Sequence, residues 1–275
     1  MSGASSFAFE LKCLELLLGL GFDCRHSGFY ADPVTGKHRQ FDIRAVKSNG
    51  ALRLYCAVEC KRLSDSFPLL VSCVPRSRSE SHHNVIFSFD EFTSTGSRGT
   101  FARSAGHADY EARPSGAYPG NAPVGKECVQ VGRTDKGEIT TNDADMFEKW
   151  SQAISSAHEL VAEAWHVAAS SKLYFLSVVL PIVVVPDDTL WQVNYNSNGS
   201  RHRDPFQTDR CSYLITRNEG DRISVVTHLE FVTFSGLSNL LNQVLQIQGD
   251  WFPASVSRQA EAMLRKHEEF QQQGL

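Results

Sequence analysis

No C-x-x-C pair occurs in this chain of 275 residues, and its seven cysteines, Cys13, Cys24, Cys56, Cys60, Cys73, Cys128 and Cys211, are odd in number. That pattern suggests neither a zinc ribbon nor a closed disulfide framework, and reduced thiols of a cytoplasmic protein are expected instead. An excess of basic charge is also missing: 27 Lys and Arg against 31 Asp and Glu give a formal net charge of −4. Without a global positive field, an anionic partner has to meet a local patch. No apolar run is long enough to cross a bilayer. The most apolar one, LYFLSVVLPIVVVP at 173–186, is interrupted by Pro181 and rich in β-branched residues, as a buried strand would be. The stretch MSGASSFAFELKCLELLLGLGF has no basic region ahead of its apolar part, and no signal peptide or membrane partner is expected. Absent too are the G-x-S-x-G of serine hydrolases, the glycine spacing of a phosphate loop around APVGK (122–126), and any internal repeat.

What is present divides into recognisable segments. Phe7, Leu11, Leu14, Leu17 and Leu18 have helical spacing within 6–19, with Ser5 or Ser6 to cap the start and Gly19 and Gly21 to close the end. FDCRHSGFY (22–30), HRQFDIRAV (38–46) and LRLYCAVEC (52–60) are strand candidates, and the turn KSNG makes the last two an antiparallel hairpin. PLLVSCV (68–74) is a further short apolar run. From about 76 the chain turns Ser-, Arg-, Gly- and Pro-rich, and 64–143 is expected to be a loop-rich surface insertion. Asn142 or Asp143 then caps a helix bearing Phe147, Trp150, Ile154, Leu160, Val161 and Trp165, followed by the buried strand at 175–185. Beyond 189, LWQVNYNSNG, a strand pair around the NEGD turn, and helices near 237–248 and 255–272 form an α+β extension packed on the core.

The chemistry concentrates between residues 42 and 61. Side chains alternate along a strand, so Glu59 and Lys61 share a face with Ala57 while Val58 and Cys60 take the other; Asp42 shares a face with Gln40 and Arg44. If the hairpin pairs Asp42 with Glu59, two carboxylates and an ammonium converge, and the acids repel unless a cation lies between them. Hard oxygen ligands of this kind suit Mg2+, with Mn2+ as a substitute, and Lys61 would orient attacking water or stabilise developing negative charge. The plain alternative is a solvated hairpin face carrying cross-strand ion pairs. His82 and His83, adjacent and without a third ligand at metal spacing, are expected to be loop residues.

This constellation resembles the PD-(D/E)XK nuclease superfamily, with its restriction-endonuclease-like fold. FELKCLELLLGLGF, which puts Glu10 on the first helix, looks like the opening of archaeal Holliday-junction resolvases and of type IV restriction enzymes. The resemblance implies an α/β fold with an α-β-β-β-α-β core and a mixed central sheet, divided here as 1–63 and 144–188 around the 64–143 insertion, with 189–275 as the extension. It implies Glu10 as the helix acid, positioning a second metal or a metal-bound water. Asp42 in QFDIRA becomes a metal ligand, Glu59 in VECKR the second ligand, the Cys60 carbonyl a further one, and Lys61 the catalytic lysine. Phe41 stands where the motif has proline, and Gln152 is followed four residues later by Ser156 where related exonucleases carry Tyr. The implied activity is Mg2+-dependent endonucleolytic hydrolysis of DNA, in defence or repair, with a homodimer suited to a duplex cut. Lys37, Arg39, Arg44 and Arg62 are the expected phosphate contacts. A nuclease-fold module that binds nucleic acid or a protein without cutting is the alternative.

Overall fold

The computed structural model describes residues 5–32, 36–95, 100–133, 136, 138–142, 144–166, 173–215, 226–246 and 248–272. Helix α1 spans Ser6–Gly19, and the Ser5 hydroxyl caps it by accepting the Ala8 N–H at 3.2 Å. Five strands follow: β1 (Asp23–His26), β2 (Phe29–Ala31), β3 (His38–Gln40), β4 (Ile43–Asn49) and β5 (Leu52–Cys60). Next come β6 (Leu69–Pro75), β7 (His83–Thr95), β8 (Thr100–Ala112), β9 (Pro123–Arg133) and β10 (Ile139–Asn142). Helix α2 (Ala144–Trp165) leads into β11 (Leu173–Val185), β12 (Leu190–Asn194), β13 (Phe206–Gln207), β14 (Arg210–Leu214) and β15 (His228–Thr233). Helices α3 (Phe234–Gln246), α4 (Gln248–Trp251) and α5 (Ala254–Gln272) close the described chain.

One large mixed sheet carries the architecture, in the order β1-β4-β5-β11-β15-β14-β9-β6-β12-β13. Strands β1, β4 and β5 are antiparallel neighbours, while β5, β11 and β15 run parallel. The first half of β11 pairs instead with β7, whose partner β8 completes a long hairpin. The turn between β14 and β15, which contains NEGD, lies outside the described residues.

Alternation along β5 sorts the layers. Leu54, Cys56, Val58 and Cys60 enter a core shared with Cys13 and Leu17 of α1 and with Leu237, Leu240 and Val244 of α3. Tyr55 and Ala57 face the opposite way, against Ala157, Leu160, Val161 and Ala164 of α2. The sheet is therefore covered by α1 and α3 on one face and α2 on the other, and Glu59, in step with Tyr55 and Ala57, belongs to the α2 face. Cys13 and Leu17 supply the buried side of α1, while Phe7, Leu11 and Leu18 of its apolar set are exposed.

Two of the expected strands are each interrupted. Residues 22–30 divide into β1 and β2 around Ser27, which has φ 55°, and 38–46 divide into β3 and β4 around Phe41 and Asp42. At this break the Phe41 ring is buried against the backbone of Gly28 so closely that any Cβ there would collide with it. The break leaves β2 and β3 as a separate small sheet and frees Asp42 from the regular ladder.

Residues 64–143 differ from the loop-rich insertion that composition suggests. They carry β6 to β10, and β6 and β9 pair antiparallel inside the main sheet. Glycine misleads here because it serves close packing: Gly106 lies in β8 where the Phe89 ring approaches, a Cβ there coming within 2.7 Å of the ring.

Candidate active site

The hairpin register Ile43↔Val58 sets Asp42 opposite Glu59, and the main-chain N–H of Asp42 reaches Glu59 Oε1 at 3.4 Å. Asp42 is held in return: the Cys60 N–H donates to its Oδ2 at 2.7 Å, and its carbonyl accepts the Ser27 N–H at 3.0 Å. The Cys60 side chain lies in the α1 core, while its N–H points to Asp42. In an extended strand the N–H and C=O of one residue share an edge, so the Cys60 carbonyl faces the Asp42 side as well.

Between the two acids sits Lys149 of α2. Its Nζ donates to Asp42 Oδ2 at 3.0 Å and to Glu59 Oε2 at 3.1 Å. Lys149 was not among the residues that the motif points to, yet a signal exists: Met146, Lys149, Ala153 and Leu160 fall at helical spacing on one side, so a lysine stands in a row of otherwise apolar positions. Such a lysine either extends to solvent or meets an acid, and Lys149 meets two. Lys61 donates its main-chain N–H to Val184 at 2.9 Å, and its side chain lines a cleft of about 310 Å³ together with Glu148, Lys149 and Gln152. Glu59 and Lys61 thus serve one region, bridged by Lys149.

The electrostatics follow from burial. Glu59 is 0% exposed, and desolvation, helped by the neighbouring Asp42, lifts its carboxyl to about 8. Burial alone would lower the Lys149 ammonium, but Glu59 and Asp42 together outweigh it and hold its pKa above the ordinary lysine value. Lys149 thus faces two carboxyls, one of which burial pushes toward its neutral form.

Glu10 lies apart from this group. Its carboxylate accepts from Ser6 of the same helix at 3.3 Å and approaches His26 of β1 at 3.7 Å. Helix α1 covers the sheet face opposite to that of Glu59, and contacts from Glu10 lead to Asp42 through His26 and the Ser27 backbone. The expected phosphate contacts also divide. Lys37 and Arg62 are exposed, and Arg39 pairs with Asp32 at 2.9 Å at the cleft side of α2. Arg44 is 5% exposed and turned inward, donating to Ser156 at 3.0 Å and to Glu159 at 2.8 Å while stacking on Phe41. His83, expected in a loop, begins β7 with both ring nitrogens engaged, one by the Ser115 hydroxyl and one by the Trp251 carbonyl, each at 2.8 Å.

Among the described residues no group of three or more His, Cys, Asp or Glu side chains is arranged to hold a metal ion. The donor set on offer is a pair of carboxylate oxygens, one from Asp42 just before β4 and one from Glu59 in β5, both directed at the Lys149 ammonium. That fits Mg2+, which takes one or two carboxylates and completes its octahedron with water and substrate oxygens. Among the described residues no helix is long and apolar enough to cross a membrane. Compared with protein-family models, with curated proteins and with solved structures, the chain finds no match in any of the three.

Proposed function

We propose that this chain is a metal-dependent endonuclease that hydrolyses phosphodiester bonds in DNA on a restriction-endonuclease-like core. The observation that carries this is the convergence of Asp42 and Glu59 on one cation beside a cleft lined by Lys61. With β2, β3 and β6–β10 set aside, α1, β1, β4, β5, α2 and β11 follow one another as α-β-β-β-α-β with the acids at the β4–β5 pair, which supports it. Asp42 and Glu59, with the Cys60 carbonyl, would hold Mg2+ or Mn2+. Such an ion lowers the pKa of bound water and offsets charge on a phosphate. Lys61 sets a positive charge at the cleft wall, where it favours an anionic substrate and the negative charge that develops on it. Lys37, Arg39 and Arg62 supply phosphate contacts around it, and a homodimer would bring two such sites to a duplex. Glu10 acts at a distance in this reading, through His26 and the Asp42 backbone.

A second reading has its own support. The Lys149 ammonium already bridges the two acids, as would suit a nuclease-fold module that binds nucleic acid or a protein without cutting it. Incubation with plasmid DNA and Mg2+ or Mn2+ separates the two. The nuclease reading expects nicking or linearisation, reduced about 10³-fold in Asp42→Ala, the change that several kcal/mol of lost metal assistance produces. Cleavage that persists in Asp42→Ala and Lys61→Ala would sink it, while a metal-independent gel shift with no cutting would favour the binding module.

A further inference from the structure

We propose that Lys149 is a built-in counter-ion, displaced when a divalent metal enters, and that its freed ammonium then joins Lys61 in holding a substrate phosphate. This rests on the reading of Asp42 and Glu59 as a metal pair. The geometry leaves little room for sharing. Lys149 Nζ lies 3.0 Å from Asp42 Oδ2 and 3.1 Å from Glu59 Oε2, at the point where the two acids converge. A metal bound to the same oxygens at about 2.0–2.1 Å would occupy much of that space and repel the ammonium across a distance at which like charges interact strongly.

The side chain has somewhere to go. Lys149 is itself part of the cleft wall, together with Glu148 and Gln152 of α2 and with Lys61. Its flexible four-carbon stem allows the ammonium to swing from the acids into that open volume while the helix stays in place. Two lysines would then face the cleft, one on α2 and one after β5. Two compact cations around one oxyanion are a phosphate-binding arrangement, and the class of ligand is a phosphodiester of nucleic acid. Without metal the same lysine stays with the acids, and the cleft is less positive. Substrate affinity and metal affinity are therefore coupled through one side chain, and the coupling is reciprocal.

Mn2+ binding measured by electron paramagnetic resonance at about pH 8 tests this on the folded protein, with wild type, Lys149→Met and Asp42→Asn compared. Removing a competing charge should tighten Mn2+ binding in Lys149→Met by about tenfold or more, and Asp42→Asn should lose it. Equal or weaker binding by Lys149→Met, with binding still lost in Asp42→Asn, overturns the displacement while leaving the metal pair standing. No Mn2+ bound by either wild type or Lys149→Met removes the metal reading and the displacement with it. If Lys149→Met does not fold, amine labelling of the wild type read by mass spectrometry decides. Mg2+ should speed modification of Lys149 several-fold, and a slower or unchanged rate in Mg2+-saturated protein contradicts the proposal.

Discussion

Among the described residues two glutamates are completely buried, and they are buried differently. Glu230 of β15 and Glu59 of β5 are both 0% exposed. Around Glu230 every oxygen is satisfied by groups with little freedom. Arg210 forks onto it at 2.8 and 3.2 Å, the Tyr118 hydroxyl donates at 2.9 Å, and the Ser212 hydroxyl reaches both oxygens at 3.1 Å. Arg210 is held charged above its ordinary pKa, burial being outweighed by Glu230. Glu59 has instead a second acid beside it, one flexible lysine, and a cleft next to that lysine. The difference teaches that burial of a charge does not mark a site; an incomplete and exchangeable set of partners does. A planar guanidinium with two parallel hydrogen bonds is a fixture, whereas an ammonium on a long stem is replaceable.

The comparison can be broken most severely at Arg210. Arg210→Ala leaves Glu230 buried without its counter-charge, and urea denaturation should show a loss of about 3–5 kcal/mol. A loss below about 1 kcal/mol would mean that the Glu230 cluster is as exchangeable as the Glu59 one. Next in size is a pH effect confined to Glu59. Its folded carboxyl titrates near 8, against about 4.3 in an unfolded chain, so between those values the folded protein keeps a proton that the unfolded chain has released. Stability of the metal-free protein should therefore fall as pH rises through that window, on the order of 1 kcal/mol per pH unit, and level off above about 8. Glu59→Gln should remove this trend, and a trend that survives the substitution would place its origin elsewhere. The same proton must leave when a metal binds, so Mn2+ affinity should climb about tenfold per pH unit up to about 8. The smallest effect is expected from Tyr118→Phe, which removes one of several donors to Glu230 and should cost about 1 kcal/mol with cleavage unchanged.

How far these regions could be read from the residues differs for physical reasons. The pattern of 43–60 is local, since strand alternation and a KSNG turn leave few registers, and the observed pairing puts Asp42 beside Glu59. The helix over 6–19 is equally local, down to its Ser5 cap. Lys149 was beyond reach of the motif because it comes from a helix more than eighty residues later in the chain and meets the acids only through the packing of α2 on the sheet. Arg44 shows the same limit: a basic residue in a strand looks like surface until a helix with Ser156 and Glu159 covers it. The strands of 64–143 were hidden by glycines such as Gly106, which serve tight packing on an aromatic ring and imitate the composition of a loop. The Glu230 cluster had no sequence signature at all, since its members come from β9's approach, β14 and β15 and share no spacing.

In the proposed nuclease Asp42 and Glu59 form a metal pair whose place Lys149 holds. A crystal soaked in Mn2+ and measured at the manganese absorption edge tests it directly. The account predicts an anomalous peak about 2.2 Å from one oxygen of each acid, near the Cys60 carbonyl, with the Lys149 ammonium turned into the cleft toward Lys61. Soaked crystals with no peak between Asp42 and Glu59, and with Lys149 still bridging both carboxylates, would contradict it.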